Sequence, residues 1–467
     1  MVQRLILVLM LAGTALPALA GTCAKSNLVR GGTWTERRNR LATEVRGEIW
    51  SDAIQACLDH DRDVRLAAKP TPYYLDKPLI IRSGSRFTAD PSAELRLVPG
   101  TNTCMIRNQH IVSGEAGPPD PRIPPDSDIT IAGGIWTTLS PGKTENNGNI
   151  RGRADASDSA PGAHGVILLS NVRDVVVQNL TVRESRPFGV HISNAAGFRV
   201  ENLRFENHWR DGVHINGPAS HGVIRHLRGV THDDFVALNA WDWHNYAPTF
   251  GPITDLTIED IAGDPARLTE ADARSPYSDG SADIRLLAGV KRFRDGRGVE
   301  CGIGKCTFRG LRNIRSFKLY DQPNLEDQQP RDASDRIGKI FNVAFEDLEF
   351  SRAPSGPPFL IHADVDHLLI RDVILNFLLR PDFRLVQIGP MSATYKGNFA
   401  DPEHWIEIFS PDRDCTVRSL QLSRITTGDG APVRNPDRLV EVVNQKLNPE
   451  YPASTPKGGT GRCVLIR

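Results

Sequence analysis

The segments Asp211-Gly-Val-His-Ile-Asn216 and Asp234-Phe-Val-Ala-Leu-Asn239 read as two copies of one unit, 23 residues apart. Phe188-Gly-Val-His-Ile-Ser193 is a third copy, a further 23 residues upstream. A fixed short period is the mark of a solenoid, in which each repeat stacks on the last. Stacked strands lie roughly 4.8 Å apart, so residues one period apart become neighbours. Asp211, Asp233 and Asp234 are then gathered on one surface. Carboxylates gathered in this way do acid/base chemistry or hold a cation.

Short strands run outward from this core in both directions. Upstream are Pro78-Leu-Ile-Ile-Arg82, Ala93-Glu-Leu-Arg-Leu-Val98, Asp128-Ile-Thr-Ile-Ala132, 165–170, 172–182 and 197–205. An alternating phrase with Asn or Asp before its last apolar residues recurs at 255–261, 343–350 and 367–374, and its last visible copy is 416–425. Such alternation builds strands with one buried face. Asn and Asp suit the corners, because their short side chains tolerate unusual dihedrals. Evenly spaced strands would also fit a sandwich, but copies aligned at 23 residues favour an all-β, right-handed parallel β-helix with about three strands per coil. Ser51-Asp-Ala-Ile-Gln-Ala-Cys-Leu-Asp59 has a capping Ser, an early acid and helical apolar spacing. It predicts a short helix plugging the open end of the solenoid. Residues 21–48 show no core pattern. Insertions rich in Gly, Pro, Ser and Asn at 137–163, 241–252, 263–282 and 391–404 read as outer loops that border a cleft.

Arg4, the apolar run Leu5–Leu11 and Ala18-Leu-Ala20 read as a cleavable export signal, too short for a membrane span. An uncleaved anchor is the competing reading, and a lipid anchor is disfavoured because Cys23 follows no small-residue lipobox. The domain reading is a signal peptide at 1–20, an N-terminal segment with the capping helix at 21–70, the solenoid at 71–425 and a tail packed on it at 426–467. A secreted or periplasmic monomer is expected. Lys+Arg and Asp+Glu balance at 56 each, with no charge run pointing to nucleic acid or membrane. The seven cysteines are Cys23, Cys57, Cys104, Cys301, Cys306, Cys415 and Cys463, an odd number that leaves at least one thiol. Cys301 with Cys306 is the expected local disulfide, and Cys415 with Cys463 a wider alternative.

Stacking the copies gives rows: Arg186, Trp209 and His232; Pro187, Arg210 and Asp233; Phe188, Asp211 and Asp234; His191, His214 and Ala237. Ser193, Asn216 and Asn239 stack as a polar ladder. Ala282-Asp-Ile-Arg-Leu-Leu-Ala288 can be registered so that Arg285 joins the His191/His214 row. Aromatic faces stack on pyranose rings and polar groups bond hydroxyls. Trp209, Arg210, His214, His232, His244 and Arg285 are accordingly the expected sugar-binding groups, and Trp241, Trp243 and Tyr246 lie close by in sequence. Adjacent carboxylates do not all ionise comfortably, so one becomes a general acid. That is the equipment of glycosidic bond cleavage. The competing structural reading makes each Asp a corner residue, but stacked like charges without use cost stability.

At these residues the sequence resembles glycoside hydrolase family 28, the polygalacturonase-like enzymes. The likeness runs from Ala53-Ile-Gln55 through Tyr74-Leu-Asp-Lys-Pro78 and Gly133-Gly-Ile-Trp136 to 211–239, in the manner of a divergent bacterial member. The family's Asn-Thr-Asp-Gly reads here as Trp209-Arg-Asp-Gly212, and its Asp-Asp as Asp233-Asp234. The resemblance implies Asp233 as general acid and Asp211 and Asp234 as activators of water, with inversion and no metal or other cofactor. The family's Gly-His-Gly is not recognisable, His244 being the nearest candidate, and its Arg-Ile-Lys is replaced by Asp283-Ile-Arg285.

Two other functions remain open on sequence. A β-helix lyase or epimerase would use the carboxylates to bind Ca²⁺, and a carbohydrate-binding, adhesin-like solenoid would use them for no chemistry. In each case the partner is a polysaccharide or oligosaccharide.

Overall fold

The structure, a computed structural model, describes residues 26–38, 41–111, 121–140, 146–147, 165–241, 249–265, 283–292, 298–321, 338–354, 356–389, 394–395, 406–407, 414–443 and 462–466. From Asp63–Leu66 to Cys463–Leu465 the coils stack through parallel strand pairs, with Gly298–Cys301 on Asp283–Arg292 and Ile406–Glu407 on Thr394–Tyr395 as antiparallel exceptions. The chain is the right-handed parallel β-helix that the repeat predicts.

The 23-residue period is visible in the pairing. Gly165–Arg183 runs beside Phe188–His208 in one register, with Leu168 opposite His191 and Val182 opposite Phe205. Phe188–His208 keeps that offset against Val213–Thr231 as far as Asn216, and Gly217-Pro218 then adds one residue to the coil. Two corner columns carry left-handed backbone. One holds Asp174, Gly197, His221, Asp255, Lys305, Asn342 and His367, and the other Asn179, Asn202, His226, Asp260, Gly310, Asp347 and Asp372. Asn, Asp and Gly dominate both because they tolerate positive φ at least cost. This is why the phrase "apolar-x-apolar-x-Asn/Asp" recurs.

Between corners, alternate residues point inward. Val175, Val177, Leu180 and Val182 stack on Phe198, Val200, Leu203 and Phe205, all buried. The outward rung beside the second corner alternates in sign along the stack, with Arg225 Nη2 2.7 Å from Glu201, Arg309 Nη2 2.6 Å from Glu259 and Arg371 Nη2 2.6 Å from Glu346. Each partly exposed pair is worth about 1 kcal/mol or less, but the alternation favours the observed register.

The helix Ser51–His60 buries Ala53, Ile54, Cys57 and Leu58 on the end of the core. Its Gln55 amide accepts from Ile80 N at 2.7 Å and donates to Ile80 O at 3.1 Å, pairing the strand edge as a peptide would. Ser51 does not cap this helix. Trp50 stands at the N-cap position, and Ser51 Oγ instead accepts from Asp76 N at 2.9 Å. Residues without a visible core pattern form an antiparallel hairpin, Arg30–Arg38 with Leu41–Ile49. Past residue 425 the parallel ladder continues, Val440–Val442 on Val386–Ile388 and Cys463–Leu465 on Cys415–Val417.

The disulfide pairing corrects one expectation. Cys415 and Cys463 face each other in adjacent coils and are bonded, Cα–Cα 4.4 Å. Cys301 and Cys306 remain buried thiols, donating to Val299 O at 3.5 Å and Gly304 O at 3.3 Å. Cys301 ends the strand Gly298–Cys301, whereas Cys306 follows the left-handed corner at Lys305, so closeness in sequence does not bring them face to face. Cys57 is also disulfide-bonded. Among the described residues, no helix is long and apolar enough to cross a membrane. The segment read as a signal lies outside them, as do 141–145, 148–163, 242–248, 266–282, 391–393 and 396–404 of the expected loops.

Candidate functional site: a buried carboxylate cluster

The cluster forms where the chain turns into one sheet of the solenoid. Asp211 precedes Val213–Thr231 and Asp234 opens Asp234–Asn239, one coil on. Backbone bonds lock the offset: Gly189 N donates to Asp211 O at 2.9 Å and Gly212 N to Asp234 O at 2.8 Å. Gly212 is required here, because an added Cβ would meet the Phe205 ring at 2.8 Å and Phe235 O at 2.9 Å. The turn can therefore pass close over the core.

The expected register of Arg285 is observed: Ala237 pairs with Arg285 in Asp283–Arg292, in the row that holds His191 and His214. Arg285 Nη2 reaches 2.6 Å from Asp234 Oδ2 and 3.3 Å from Asp233 Oδ1. The contact with Asp234 is an ion pair by distance, and its N–H direction falls short of a hydrogen bond. One coil further, Lys318 pairs with Arg285 in the strand Phe317–Asp321, and its Nζ stands 3.8 Å from Asp234 Oδ1. Sequence reasoning missed Lys318. The signal was present in Phe317-Lys-Leu-Tyr320, where Lys318 falls out of phase with the core residues Phe317 and Leu319 and so shares the face of Arg285.

Asp211 and Asp234 are buried, whereas the Asp233 side chain keeps 18% exposure. Asp211 Oδ2 takes a 2.6 Å bond from His214 Nδ1, and its Oδ1 lies 3.4 Å from Asp234 N. One oxygen from each Asp can be chosen so that all three lie within 4.8 Å of one another. Burial raises the Asp211 carboxyl, but the His214 bond, with the charges of Arg285 and Arg210, outweighs it and holds the group below its ordinary value. Burial raises Asp233, and the negative Asp211 adds to the rise against the pull of Arg285 and Arg210. Burial likewise drives Asp234 up, while Arg285 and Lys318 pull it back. Asp211 is thus the lasting anion, and the Asp233–Asp234 pair shares the cluster's proton.

The remaining expected residues divide in two. Trp209 and His232 stack beside the cluster, ring centroids 4.9 Å apart at 21°, both partly exposed, and Arg210 is partly exposed with its charge felt by Asp211 and Asp233. His214 is instead buried behind Asp211, with the Phe188 ring flat against it at 3.8 Å. His208, also unanticipated, brings Nε2 within 2.9 Å of Asp211 O. Trp241 is packed in the core, while Trp243, His244 and Tyr246 lie outside the described residues.

No protein-family model matches the sequence, and no curated protein sequence does. Among solved structures, the family 28 exopolygalacturonase of Yersinia enterocolitica is similar at TM-score 0.46 and 10% identity, over 86% of this chain and 80% of that one. The endo-xylogalacturonan hydrolase of Aspergillus tubingensis gives 0.43 and 12%, over 89% and 95%. The mannuronan C-5 epimerase AlgE4 A-module of Azotobacter vinelandii gives 0.38 and 10%, over 85% and 96%. Likeness at this level assigns no residue a role.

Proposed function

We propose that this chain is a polysaccharide-active enzyme that hydrolyses glycosidic bonds at the Asp211–Asp233–Asp234 cluster. The observation that carries the reading is the division of labour among neighbouring carboxyls. Asp211 is held ionised by His214, while the Asp233–Asp234 pair, raised by burial, carries the proton and Asp233 is its member with an exposed face. A carboxylic acid beside a carboxylate is what cleavage of an acetal needs: one protonates the departing oxygen, the other activates water or attacks the anomeric carbon. Arg285 and Lys318 compensate Asp234, so three carboxyls can be packed together without unfolding the turn. Trp209 and His232 supply a flat partly exposed face beside the acid, suited to a sugar ring.

Asp233 acts as general acid, and Asp211 with Asp234 activates water, giving inversion. Proton NMR of the first-formed anomer tests the inversion.

The calcium-dependent alternative fits the donor set poorly. Ca²⁺ takes about 6–8 oxygens, and here a guanidinium already stands 2.6 Å from Asp234. The test is a polysaccharide panel assayed for new reducing ends and for unsaturated products, with EDTA and Asp233→Asn as controls. Reducing ends that resist EDTA and vanish in Asp233→Asn support hydrolysis. Unsaturated, calcium-dependent product establishes a lyase. Glycan binding that survives Asp233→Asn, with no product from any glycan, establishes a binding solenoid.

A further inference from the structure

A buried polar chain ends on Asp211. His191 Nε2 lies 2.7 Å from Asn216 Oδ1. Asn216 Nδ2 lies 3.1 Å from the carbonyl oxygen of Asn239 and 3.3 Å from His214 Nε2. His214 Nδ1 lies 2.6 Å from Asp211 Oδ2. His191, His214 and Asn216 are at most 1% exposed, so solvent does not compete for these bonds.

The directions of these bonds follow from one backbone atom. A carbonyl oxygen only accepts, so Asn239 O turns the NH₂ end of the Asn216 amide toward itself. The same NH₂ faces His214 Nε2, which must then be the bare, accepting nitrogen. The His214 proton is left on Nδ1, aimed at Asp211. At the other end, Asn216 Oδ1 must accept, so His191 carries its proton on Nε2. The opposite His214 tautomer would set a lone pair against the Asp211 carboxylate and an N–H against the Asn216 NH₂, two repulsions at once. Phe188, 3.8 Å away and within 6° of parallel, holds the imidazole plane.

We propose that Asn216 and His214 are positioning residues: Asn216, oriented by Asn239 O, fixes His214 as a permanent Nδ1–H donor that keeps Asp211 aimed at the cluster. This assignment of His214 differs from a sugar contact, since its ring is covered on the side of Phe188 and spent on the bonds above. For activity the inference rests on the hydrolytic reading; for the tautomer it does not.

The test has two arms. In the full chain labelled with ¹⁵N-histidine, long-range ¹H–¹⁵N correlation, with His214 assigned by His214→Gln, is expected to show Nδ1 protonated and Nε2 bare at neutral pH. An Nε2–H tautomer overturns the proposal without need of any variant that fails to fold. The second arm compares Asn216→Leu in two backgrounds. In the wild-type background it is expected to lower kcat roughly 10- to 100-fold, the usual cost of losing an orienting partner, with KM within about twofold. In His214→Asn, the amide nitrogen replaces Nδ1–H and donates to Asp211 whatever Asn216 does, so Asn216→Leu is expected to cost little more. An equal loss in both backgrounds makes Asn216 merely structural and overturns the proposal. The expected tautomer in a protein that cleaves no glycan leaves the relay standing and removes the hydrolytic reading.

Discussion

Arg285 Nη2 stands between two adjacent carboxyls, 2.6 Å from Asp234 Oδ2 and 3.3 Å from Asp233 Oδ1. The guanidinium is itself only 5% exposed and arrives from the next coil. Folding must therefore complete that coil before the Asp pair is compensated. Removing one member of a buried pair leaves the other uncompensated, at roughly 3–5 kcal/mol. Arg285→Ala is expected to lose stability on that scale in urea unfolding. Arg285→Ala with Asp234→Ala is expected to lose clearly less than the two single losses added together, because the residues share one interaction. Additive losses would show that the pair is not coupled.

The acid pair makes a prediction about titration. Asp233 is raised first by burial and then by the negative charge of Asp211. Asp211→Asn removes that charge, which makes the Asp233 anion easier to form, so its pKa is expected to fall. Carboxyl ¹³C NMR of aspartate-labelled protein reads this directly. For the wild type, the acid limb of kcat/KM is expected below the ordinary Asp range, set by Asp211. The alkaline limb is expected above it, set by the Asp233–Asp234 pair. An Asp233 pKa that stays put in Asp211→Asn would mean that desolvation, and not the charge of Asp211, governs it.

Much of this geometry was legible because a solenoid turns sequence offset into distance. Asp211 and Asp234 are readable as neighbours from the 23-residue repeat alone. The alternation of Asp283-Ile-Arg-Leu-Leu287 puts Arg285 in the row of Ala237, where the strands pair. The Asn and Asp corners were readable because positive φ restricts residue choice. Lys318 was not found, because Arg285 and Lys318 are 33 residues apart and the fixed period no longer indicates the neighbour. Stacking alone put His214 in a row of the cluster but could not say how deep it sits. Its burial depends on Phe188, which the repeat places beside Asp211 rather than over an imidazole. Cys415 and Cys463 became partners through a 48-residue excursion that no local spacing encodes.

His208 links the site to acid stability. It is fully buried, and burial pushes its pKa down to about 4, against the opposing effects of the bond to Asp211 O and the charge of Asp211. The unfolded chain takes up this proton near 6.5, and the folded chain not until about 4. The stabilisation is therefore complete above about 6.5 and lost as pH falls through that window, by about 1.4 kcal/mol per pH unit. Asp233, raised in the fold, works in the opposite direction, so the comparison needs a variant that changes His208 alone. His208→Gln keeps an N–H near the Nε2 position and binds no proton. Its unfolding free energy is expected to decline less than the wild type's between pH 7 and 4.5. Parallel declines would exclude His208 as the sensor.

Phe198 and Gly222 form a large–small pair on adjacent rungs of the core. A Cβ at Gly222 would stand 2.1 Å from Phe198 Cζ, too close for the ring to stay where it is. Gly222 is absent from the positive-φ positions, so the obstacle to a side chain is the ring and not the backbone. Gly222→Ala is expected to cost about 1–3 kcal/mol, the usual penalty of overpacking. Phe198→Leu alone should also destabilise, because it opens a cavity where Phe198 is 1% exposed. Together they are expected to cost less than the sum, since the smaller side chain vacates the space that the new methyl needs. Urea midpoints of the four proteins measure this cycle. If Phe198→Leu gives Gly222→Ala no relief, the glycine answers to the path of the chain rather than to the ring stacked upon it.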